Sequence, residues 1–377
     1  MTVTDDAIIA ALRDHGSNRK AAKALGINTR TLERRRARLA LKGWSPEHGM
    51  TRHVPDGFNV NGVSTLYRED GTIAAQWVKS SADAERREAL MREALAALSE
   101  SIPRAKPVAV PAAGDEDLLN CFVVTDFHLG ALSWAPETGA DWDTDLAERT
   151  LVEWFNQAIA QAPKAKTALL AQISDLLHWD GFDAKTPTSG HLLDADTRFP
   201  RLVRVAIRVL RQVIEMLLRT HERLHIIMAD ANHDPVSQVW LREWLAMFYE
   251  NDPRVTVDTS PSPYNVYEFG NVAIFTHHGH KRNVGNVAEV FAAKFREIFG
   301  RTKYAYAHMG HLHHLDVKEN NLMVVEQHRT LAAADAYTAR GGWLSGRDAK
   351  CITYHRQYGE VGRTTVSFDM VKDRLAA

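Results

Sequence analysis

Residues 225–235 read HIIMADANHDP, an apolar run that stops abruptly in polar side chains. The apolar residues 226–228 are typical of a buried strand, and Asn232, His233 and Asp234 follow shortly after them. An ordinary turn would account for this composition, because Asn, Asp and Pro are common loop formers. Taken alone, the stretch fits a turn and a metal site about equally well, and the rest of the chain decides between them.

The same pattern recurs at four other predicted strand ends. Strands and helices alternate from residue 119 onward, which predicts an α/β domain in which the carboxyl ends of the strands line one crevice. The polar residues at the five strand ends are Asp126 and His128, then Asp175, then Asn232, then His277, His278 and His280, then His311 and His313. Chance is a poor explanation for five such sets, so we predict a metal centre. Isolated histidines such as His221 and His328 are expected to be ordinary polar residues.

The order of these motifs carries a family resemblance. The series Asp-x-His, Asp, Asn-His-Asp, His-Gly-His and Gly-His-x-His resembles the calcineurin-like metallophosphoesterases over roughly residues 119–314. Within that superfamily, the segments TDFHLG, SDLLH and GHLH are most similar to the double-strand-break-repair exonucleases. The resemblance implies a β-sandwich flanked by helices (α/β/β/α) with two divalent metals at one edge. Ser174 and Ala231 stand where the family has glycine. This difference affects the expected backbone conformation at the two positions more than the expected set of ligands.

The resemblance also implies a ligand set. One metal would take Asp126, His128, Asp175 and His313, and the other would take Asp175, Asn232, His278 and His311. Asp175 would bridge the two ions. His278 is preferred to His277 because it directly precedes the glycine, as in the family. Mixed carboxylate, amide and imidazole ligands suit Mn²⁺ best, with Fe²⁺, Zn²⁺ or Mg²⁺ as alternatives.

Three further residues are predicted to take part in catalysis. His233 would protonate the leaving oxygen of a phosphate ester, with Asp234 hydrogen-bonded to its other ring nitrogen. His178 would either contact the scissile phosphate or hydrogen-bond a ligand carboxylate. The aromatic-rich segments 131–145 and 179–199 follow ligand-bearing strands, so we predict that they form the substrate rim.

The first 43 residues suggest a different task. Residues 5–43 predict three short helices, and residues 17–42 carry nine Lys or Arg against one Glu, in a chain whose net charge is −1. The segment RKAAKALGINTRTLERRRARL (19–39) resembles the DNA-binding helix-turn-helix of bacterial regulators. The residues predicted to face a DNA groove or its phosphates are Arg30, Thr31, Arg34, Arg35, Arg36 and Arg38. A solvated basic helix or a protein-binding bundle is the alternative.

The predicted organisation has four parts. Residues 1–52 form the helix-turn-helix domain, residues 53–101 a β-hairpin at 63–79 and a connecting helix at 82–100, residues 102–117 a linker, and residues 118–377 the phosphoesterase domain. We predict a cytoplasmic protein, because the N-terminus is acidic and no run of 18 apolar residues exists. Cys121 and Cys351 are expected to be reduced, buried thiols.

These features together predict a dinuclear-metal phosphodiesterase that acts on DNA as a nuclease. Its N-terminal helix-turn-helix would bring it to the DNA. The alternatives are a phosphomonoesterase or small-nucleotide phosphodiesterase, and a DNA-binding regulator with an inactive phosphoesterase scaffold. Only 64 residues follow His313, so an ATPase partner is not expected. A homodimer is left open. The pairing of the two domains resembles phage or prophage proteins.

Overall fold

The computed structural model describes residues 3–46, 50–51, 58–68, 70, 73–82, 109, 111, 114–187 and 189–376. The chain divides into two compact units, residues 1–93 and 94–377. The predicted connecting helix lies outside the described residues except for Ala82, which ends a strand. Among the described residues, no helix combines the length and the apolar composition that crossing a membrane requires.

Three helices begin the first unit, as predicted: α1 (Asp5–His15), α2 (Asn18–Ala24) and α3 (Thr29–Leu41). The side chains of Thr4, Ser17 and Asn28 each accept a hydrogen bond from a backbone N–H in the first turn of the following helix. Such caps satisfy donors that a helix start otherwise leaves unpaired. The helices bury a small apolar core that includes Ile8 and Leu32.

Four strands follow the helices among the described residues of the first unit. The short strands β1 (Trp44–Ser45) and β2 (Met50–Thr51) pair with each other. The predicted hairpin is present as antiparallel β3 (Phe58–Tyr67) and β4 (Ile73–Ala82), and it is longer than the sequence pattern indicated.

The second unit alternates strands and helices. Its strands are β5 (Asp115–Val124), β6 (Ala165–Gln172), β7 (Arg223–Met228), β8 (Val255–Val257), β9 (Asn265–Phe269), β10 (Val272–Thr276), β11 (Tyr304–Met309), β12 (Asp316–Glu319), β13 (Val324–Gln327), β14 (Asp348–His355) and β15 (Gly359–Ser367). Its helices are α4 (Ala135–Thr138), α5 (Thr144–Gln161), α6 (Phe199–Thr220), α7 (Pro235–Phe248), α8 (Val287–Lys294), α9 (Arg296–Arg301), α10 (Ala336–Gly341) and α11 (Phe368–Ala376).

The strands form two sheets. The six-stranded sheet has the order β15-β14-β5-β6-β7-β8, and β5 to β8 run parallel to one another. The five-stranded sheet has the order β12-β13-β11-β10-β9, with β10, β11 and β13 parallel. The parallel strands that precede the predicted ligands therefore lie next to one another within each sheet.

Alternation along the strands explains the layering. On β5, Phe122 and Val124 belong to the core shared with helices α5 and α6, whereas Cys121 and Val123 belong to the core shared with the second sheet. The second sheet packs its other face against α8 through residues such as Phe275 and Phe291. Successive side chains of a strand point to opposite faces, so the apolar strands have partners on both sides. The result is the expected α/β/β/α sandwich flanked by helices.

Two predicted boundaries are wrong. The sequence pattern of residues 286–299 predicts one helix, but the structure has two, α8 and α9, because Phe295 leaves the helical backbone region (φ −114°, ψ 44°). The predicted linker extends too far, since residues 115–117 already belong to β5. Both cysteines are free and buried, as expected.

Candidate metal centre

The predicted ligands share an unusual backbone conformation. Within the described residues, six non-glycine residues have a positive φ: Asp126, His128, Ser174, Asp175, His311 and His313. L-residues avoid this left-handed region, and where tertiary structure enforces it the site is often functional. Ser174, at φ 74°, occupies the position where the resembled family has glycine, and its hydroxyl donates to the carbonyl oxygen of Ala229 at 2.5 Å. The turn is therefore retained without glycine.

One group of side chains consists of Asp126, His128 and His313. Nε2 of His313 lies 3.2 Å from Oδ1 of Asp126 and 3.3 Å from Nε2 of His128. The other carboxylate oxygen, Oδ2, accepts hydrogen bonds from the hydroxyl of Thr125 (2.6 Å) and the backbone N–H of His311 (2.8 Å). These two bonds hold the carboxylate so that Oδ1 faces the histidines.

A second group consists of Asp175, Asn232, His278 and His311. Nε2 of His278 lies 3.0 Å from Oδ2 of Asp175 and 2.8 Å from Oδ1 of Asn232. Asp175, His278 and His311 together place three ligand atoms within 4.8 Å of one another. Oδ1 of Asp175 accepts from the backbone N–H groups of Asn232 (3.1 Å) and His233 (2.9 Å), which ties the 232–234 turn to the carboxylate.

The structure distinguishes between the two adjacent histidines. His278 donates its Nδ1 proton to the carbonyl oxygen of Ile173 at 3.0 Å, which turns Nε2 toward Asp175 and Asn232, where a bound cation would take the place of the second ring proton. This is the arrangement that metal-binding histidines commonly have. His277 instead donates to the carbonyl oxygen of Pro263 and stacks on Tyr264. His278 is therefore the histidine that belongs to the second group.

The two groups fit divalent cations. Nε2 atoms of His128 and His313 face each other at 3.3 Å, and Oδ1 of the fully buried Asp126 faces the imidazole Nε2 atoms of His313 (3.2 Å) and His278 (4.0 Å). Burial raises the pKa of the Asp175 carboxyl, but His278 beside it brings the net pKa well below the ordinary value. Burial lowers the pKa of His278, whereas Asp175 and Asp126 raise it to a net value of about 9. The carboxylates thus attract positive charge that bound cations would supply.

The expected partnership between Asp234 and His233 is wrong. Nδ1 of His233 donates to the backbone carbonyl oxygen of His178 at 2.8 Å. The buried Asp234 carboxylate accepts instead from the backbone N–H of Leu177 (2.9 Å) and from the amide of Gln238 (2.7 Å). Asp234 begins α7, and its side chain connects that helix to the loop after β6. It supports the site without contacting His233.

His178 contacts a ligand histidine rather than a ligand carboxylate. Its Nδ1 lies 3.2 Å from Nδ1 of His128, and its ring stacks on that of His233 with centroids 5.7 Å apart. Burial lowers the pKa of His178 to about 4, so the ring is neutral and can accept a hydrogen bond. Its side chain is buried, which favours the supporting role over direct contact with the phosphate.

Several contributors had no signal in the sequence. Thr330, more than 200 positions away along the chain, donates its hydroxyl to the carbonyl oxygen of Asp126 at 2.6 Å. Asp335 lies close enough to His178 and His313 for its negative charge to raise the pKa of each. Both residues lie between β13 and α10, a segment whose place is decided by the second sheet.

A further buried group does not need a metal. His308, Glu326 and His328 also come together, but Lys350 (2.5 Å) and Arg363 (2.9 Å) both donate to the Glu326 carboxylate. Its charge is already balanced by these two cations. We assign it to the structural framework, in agreement with the expectation that His328 is an ordinary polar residue.

The predicted DNA-binding residues are divided between two roles. Arg30, Arg34 and Arg38 are exposed, and their four-residue spacing places them on one face of α3. Arg35 forms an ion pair with Asp5 of α1, and Arg36 donates to Asn18 of α2 at 2.9 Å. Thr31 is half-buried. Arg35 therefore ties α3 to α1, and its contact with a DNA groove stays a prediction.

Comparison with known proteins gives likenesses of structure alone. No family model matches the chain, and no curated protein matches it in sequence. Similar solved structures include a conserved uncharacterized protein, a predicted phosphoesterase, from Streptococcus pneumoniae (TM-score 0.27, 9% identity, 66% of this chain and 98% of that chain). Another is Vps29 with Zn²⁺ from Entamoeba histolytica (0.29, 13%, 67% and 99%), and a third is an archaeal phosphodiesterase (0.31, 12%, 66% and 99%). At TM-scores this low, these likenesses establish no substrate for the chain.

Proposed function

We propose that the protein is a metal-dependent phosphodiesterase that cleaves DNA, with the N-terminal helices bringing it to the substrate. The single observation that carries the proposal is the convergence of seven Asp, Asn and His side chains from five strand ends into two adjoining groups. The groups adjoin because Nε2 of His278 lies 4.0 Å from Oδ1 of Asp126, a member of the other group. Asp175 is the proposed bridge, and Mn²⁺ is the proposed metal.

Two divalent cations, when bound, would stabilise the charge of a phosphate ester and activate water as the nucleophile. Burial raises the pKa of the Asp126 and Asp175 carboxyl groups, but the neighbouring histidines bring both net values below the ordinary one, and backbone N–H groups orient the two carboxylates. The proposed ligands Asn232, His311 and His313 are half-buried, as is His233, whereas the other proposed ligands are buried. The substrate therefore approaches from the side of the half-buried residues.

His233 is the proposed general acid. The hydrogen bond from its Nδ1 to the His178 carbonyl sets the orientation of the ring and leaves Nε2 for proton exchange. A proton delivered from Nε2 to the leaving oxygen prevents the build-up of an alkoxide, an effect typically worth about 10²–10⁴ in rate.

Targeting to DNA rests on the exposed face of α3 and on the charge of residues 17–42. Nine Lys or Arg against one Glu in this stretch gives a net charge of +8, in a chain that is close to neutral as a whole. Such a local excess is suited to a phosphate backbone, where much of the binding free energy comes from counterion release. The exposed residues Arg30, Arg34 and Arg38 are the proposed contacts.

The test is to incubate the metal-loaded protein with labelled single- and double-stranded DNA, a chromogenic phosphodiester and a chromogenic monoester. We expect cleavage of DNA and of the diester, dependence on added Mn²⁺, and little action on the monoester. Cleavage of small nucleotides or monoesters with intact DNA would instead identify a small-molecule phosphoesterase. DNA binding without any hydrolysis would identify a regulator with an inactive scaffold.

A further inference from the structure

We propose that three exposed aromatic side chains beside the metal centre form a stacking surface for the unpaired bases of a nucleic-acid strand. The residues are Trp134, Tyr337 and Trp343, which expose 64%, 68% and 58% of their surface. We call them the aromatic wall. A group of exposed aromatic side chains beside a candidate active site indicates a binding surface, whereas single exposed ones are common.

Three chain segments meet at the aromatic wall. Trp134 precedes α4 in the first predicted rim segment, and Tyr337 lies in α10. The two helices are joined by an ion pair between Glu137 and Arg340 at 2.7 Å. The ring of Tyr337 stacks on His191 of the second predicted rim segment, with centroids 6.3 Å apart and planes 28° apart. The segments that contain Trp134 and His191 are the two that the sequence predicted as the substrate rim, and the structure adds α10 to them.

The rings of the aromatic wall are positioned by the protein. The centroid of the Trp343 ring lies 5.4 Å from that of Tyr337. A Cβ on Gly341 would lie 2.6 Å from the Trp343 ring, so the glycine lets the indole lie against the end of α10 in this orientation. Gly342 adopts a left-handed conformation (φ 70°), which turns the chain back after α10.

The aromatic wall is connected to the metal centre through Asp335. This residue caps α10 by accepting a hydrogen bond from the N–H of Thr338 at 2.8 Å, and it follows by five residues Thr330, whose hydroxyl donates to the carbonyl oxygen of Asp126 at 2.6 Å. Tyr337 follows Asp335 by two residues. A strand whose phosphate reaches the metal centre therefore carries its neighbouring bases toward these rings.

Base stacking is the interaction that this surface offers. Every base has an aromatic face, so exposed rings bind unpaired strands with little sequence preference. Bases in a duplex are already stacked on one another, so they gain less binding free energy from the exposed rings. The inference rests on the proposed function and narrows it, because it assigns single-stranded or frayed nucleic acid as the substrate that the metal centre receives.

The experiment compares Tyr337→Ala and Trp343→Ala with the unaltered full chain loaded with Mn²⁺. Leu344→Ala is the matched control, since Leu344 is 90% exposed in the same segment but has no aromatic ring. Binding is measured by fluorescence anisotropy with a short phosphorothioate single strand, an abasic strand of equal length and charge, and a blunt duplex. Turnover is measured with a single strand and with a small chromogenic diester.

We expect each aromatic variant to weaken binding of the base-containing strand about tenfold, the size of effect that loss of one base stack produces. The abasic strand and the duplex should bind as before, and the ratio of kcat/KM for the strand to that for the small diester should fall by a similar factor. Leu344→Ala should match the unaltered protein, and Trp343→Phe should recover most of the affinity.

Unchanged affinity of the alanine variants for the base-containing strand, or an equal loss of affinity for the base-containing and abasic strands, would overturn the inference. A change from dimer to monomer with strand affinity intact would overturn it too, and would identify the aromatic wall as a protein interface. The proposed function is tested by a different outcome. Lack of turnover of the small diester would refute the phosphodiesterase activity. Ring-dependent binding of the phosphorothioate strand would still support the stacking surface in that case.

Discussion

His178 and His128 face each other through their Nδ1 atoms at 3.2 Å, deep in the candidate metal centre. Only one of the two can carry the shared proton. If His128 is to offer Nε2 to a metal, its Nδ1 must donate, and His178 must accept. The neutral state of the buried His178 allows this. His178 is thus a positioning residue that determines which nitrogen of His128 is available, in the manner of outer hydrogen-bond partners in metal sites.

His178→Ala should weaken metal binding by roughly 10- to 100-fold, because His128 loses the acceptor that orients it. His178→Asn should recover much of this affinity, since the amide oxygen can occupy the place of Nδ1. Titration with Mn²⁺ by calorimetry measures both. A variant series in which Asn and Ala behave alike would contradict the orienting role.

Asp175→Asn should abolish turnover and lower the content of both metals. Oδ2 of Asp175 faces Nε2 of His278 at 3.0 Å. An amide NH₂ in place of Oδ1 would oppose the backbone N–H donors of Asn232 and His233. Metal analysis of the purified variant is the measurement. Two ions at full occupancy would show that Asp175 is not a bridging ligand.

His233→Ala should keep near-normal metal content and lose about 10²-fold or more in rate on DNA. The loss should shrink on a nitrophenyl diester, whose leaving group needs little protonation. The comparison of kcat on the two substrates checks the general-acid role. Equal losses would mean that His233 acts on the phosphate or on a metal instead.

Replacing Arg34 and Arg38 with Ala should flatten the dependence of log affinity on log salt by roughly one to two units on duplex DNA. Both residues are exposed on the same face of α3. Arg35→Ala is the comparison, because this side chain pairs with Asp5 and should change the slope less. Unchanged affinity of the double variant at every salt concentration would make the three helices a protein-binding or structural module.

The second unit should lose stability in mild acid, in part through His221. Its Nδ1 donates to the carbonyl oxygen of Leu217, its Nε2 accepts from Asn120 at 3.2 Å, and burial lowers its pKa from 6.5 to about 4. The unfolded state binds the proton first, so the contribution is present above pH 6.5 and is lost as the pH falls toward 4. It amounts to at most about 3 kcal/mol.

His221→Gln should therefore unfold with a smaller change of free energy between pH 6.5 and 4.5 than the unaltered protein, as urea titrations at each pH would show. Between pH 7 and 8 the two proteins should keep a constant difference. A pH dependence identical in both would mean that His221 is not the titrating group.

The sequence by itself determined the strands, the main helices and the seven proposed ligands. The hydrophobic period, the helix-capping residues and the polar residues at strand ends are all local signals. The αL conformations of Asp126 and Asp175 were not predicted, although Ser174 shows that a serine held by the Ala229 carbonyl can stand where the resembled family has glycine. The exposed face of α3 is set by its helical period.

Tertiary structure alone decided which partner each side chain has. His233 bonds to the carbonyl of His178, 55 positions away, and not to the adjacent Asp234, because the 232–234 turn packs against the loop after β6. Packing also decided between His277 and His278, and it brought α10 to the predicted rim. A sequence pattern reports the period and chemistry of one segment, whereas hydrogen-bond partners and substrate surfaces depend on how distant segments pack. For that reason Asp335, Tyr337 and Trp343 carried no signal until the fold was known.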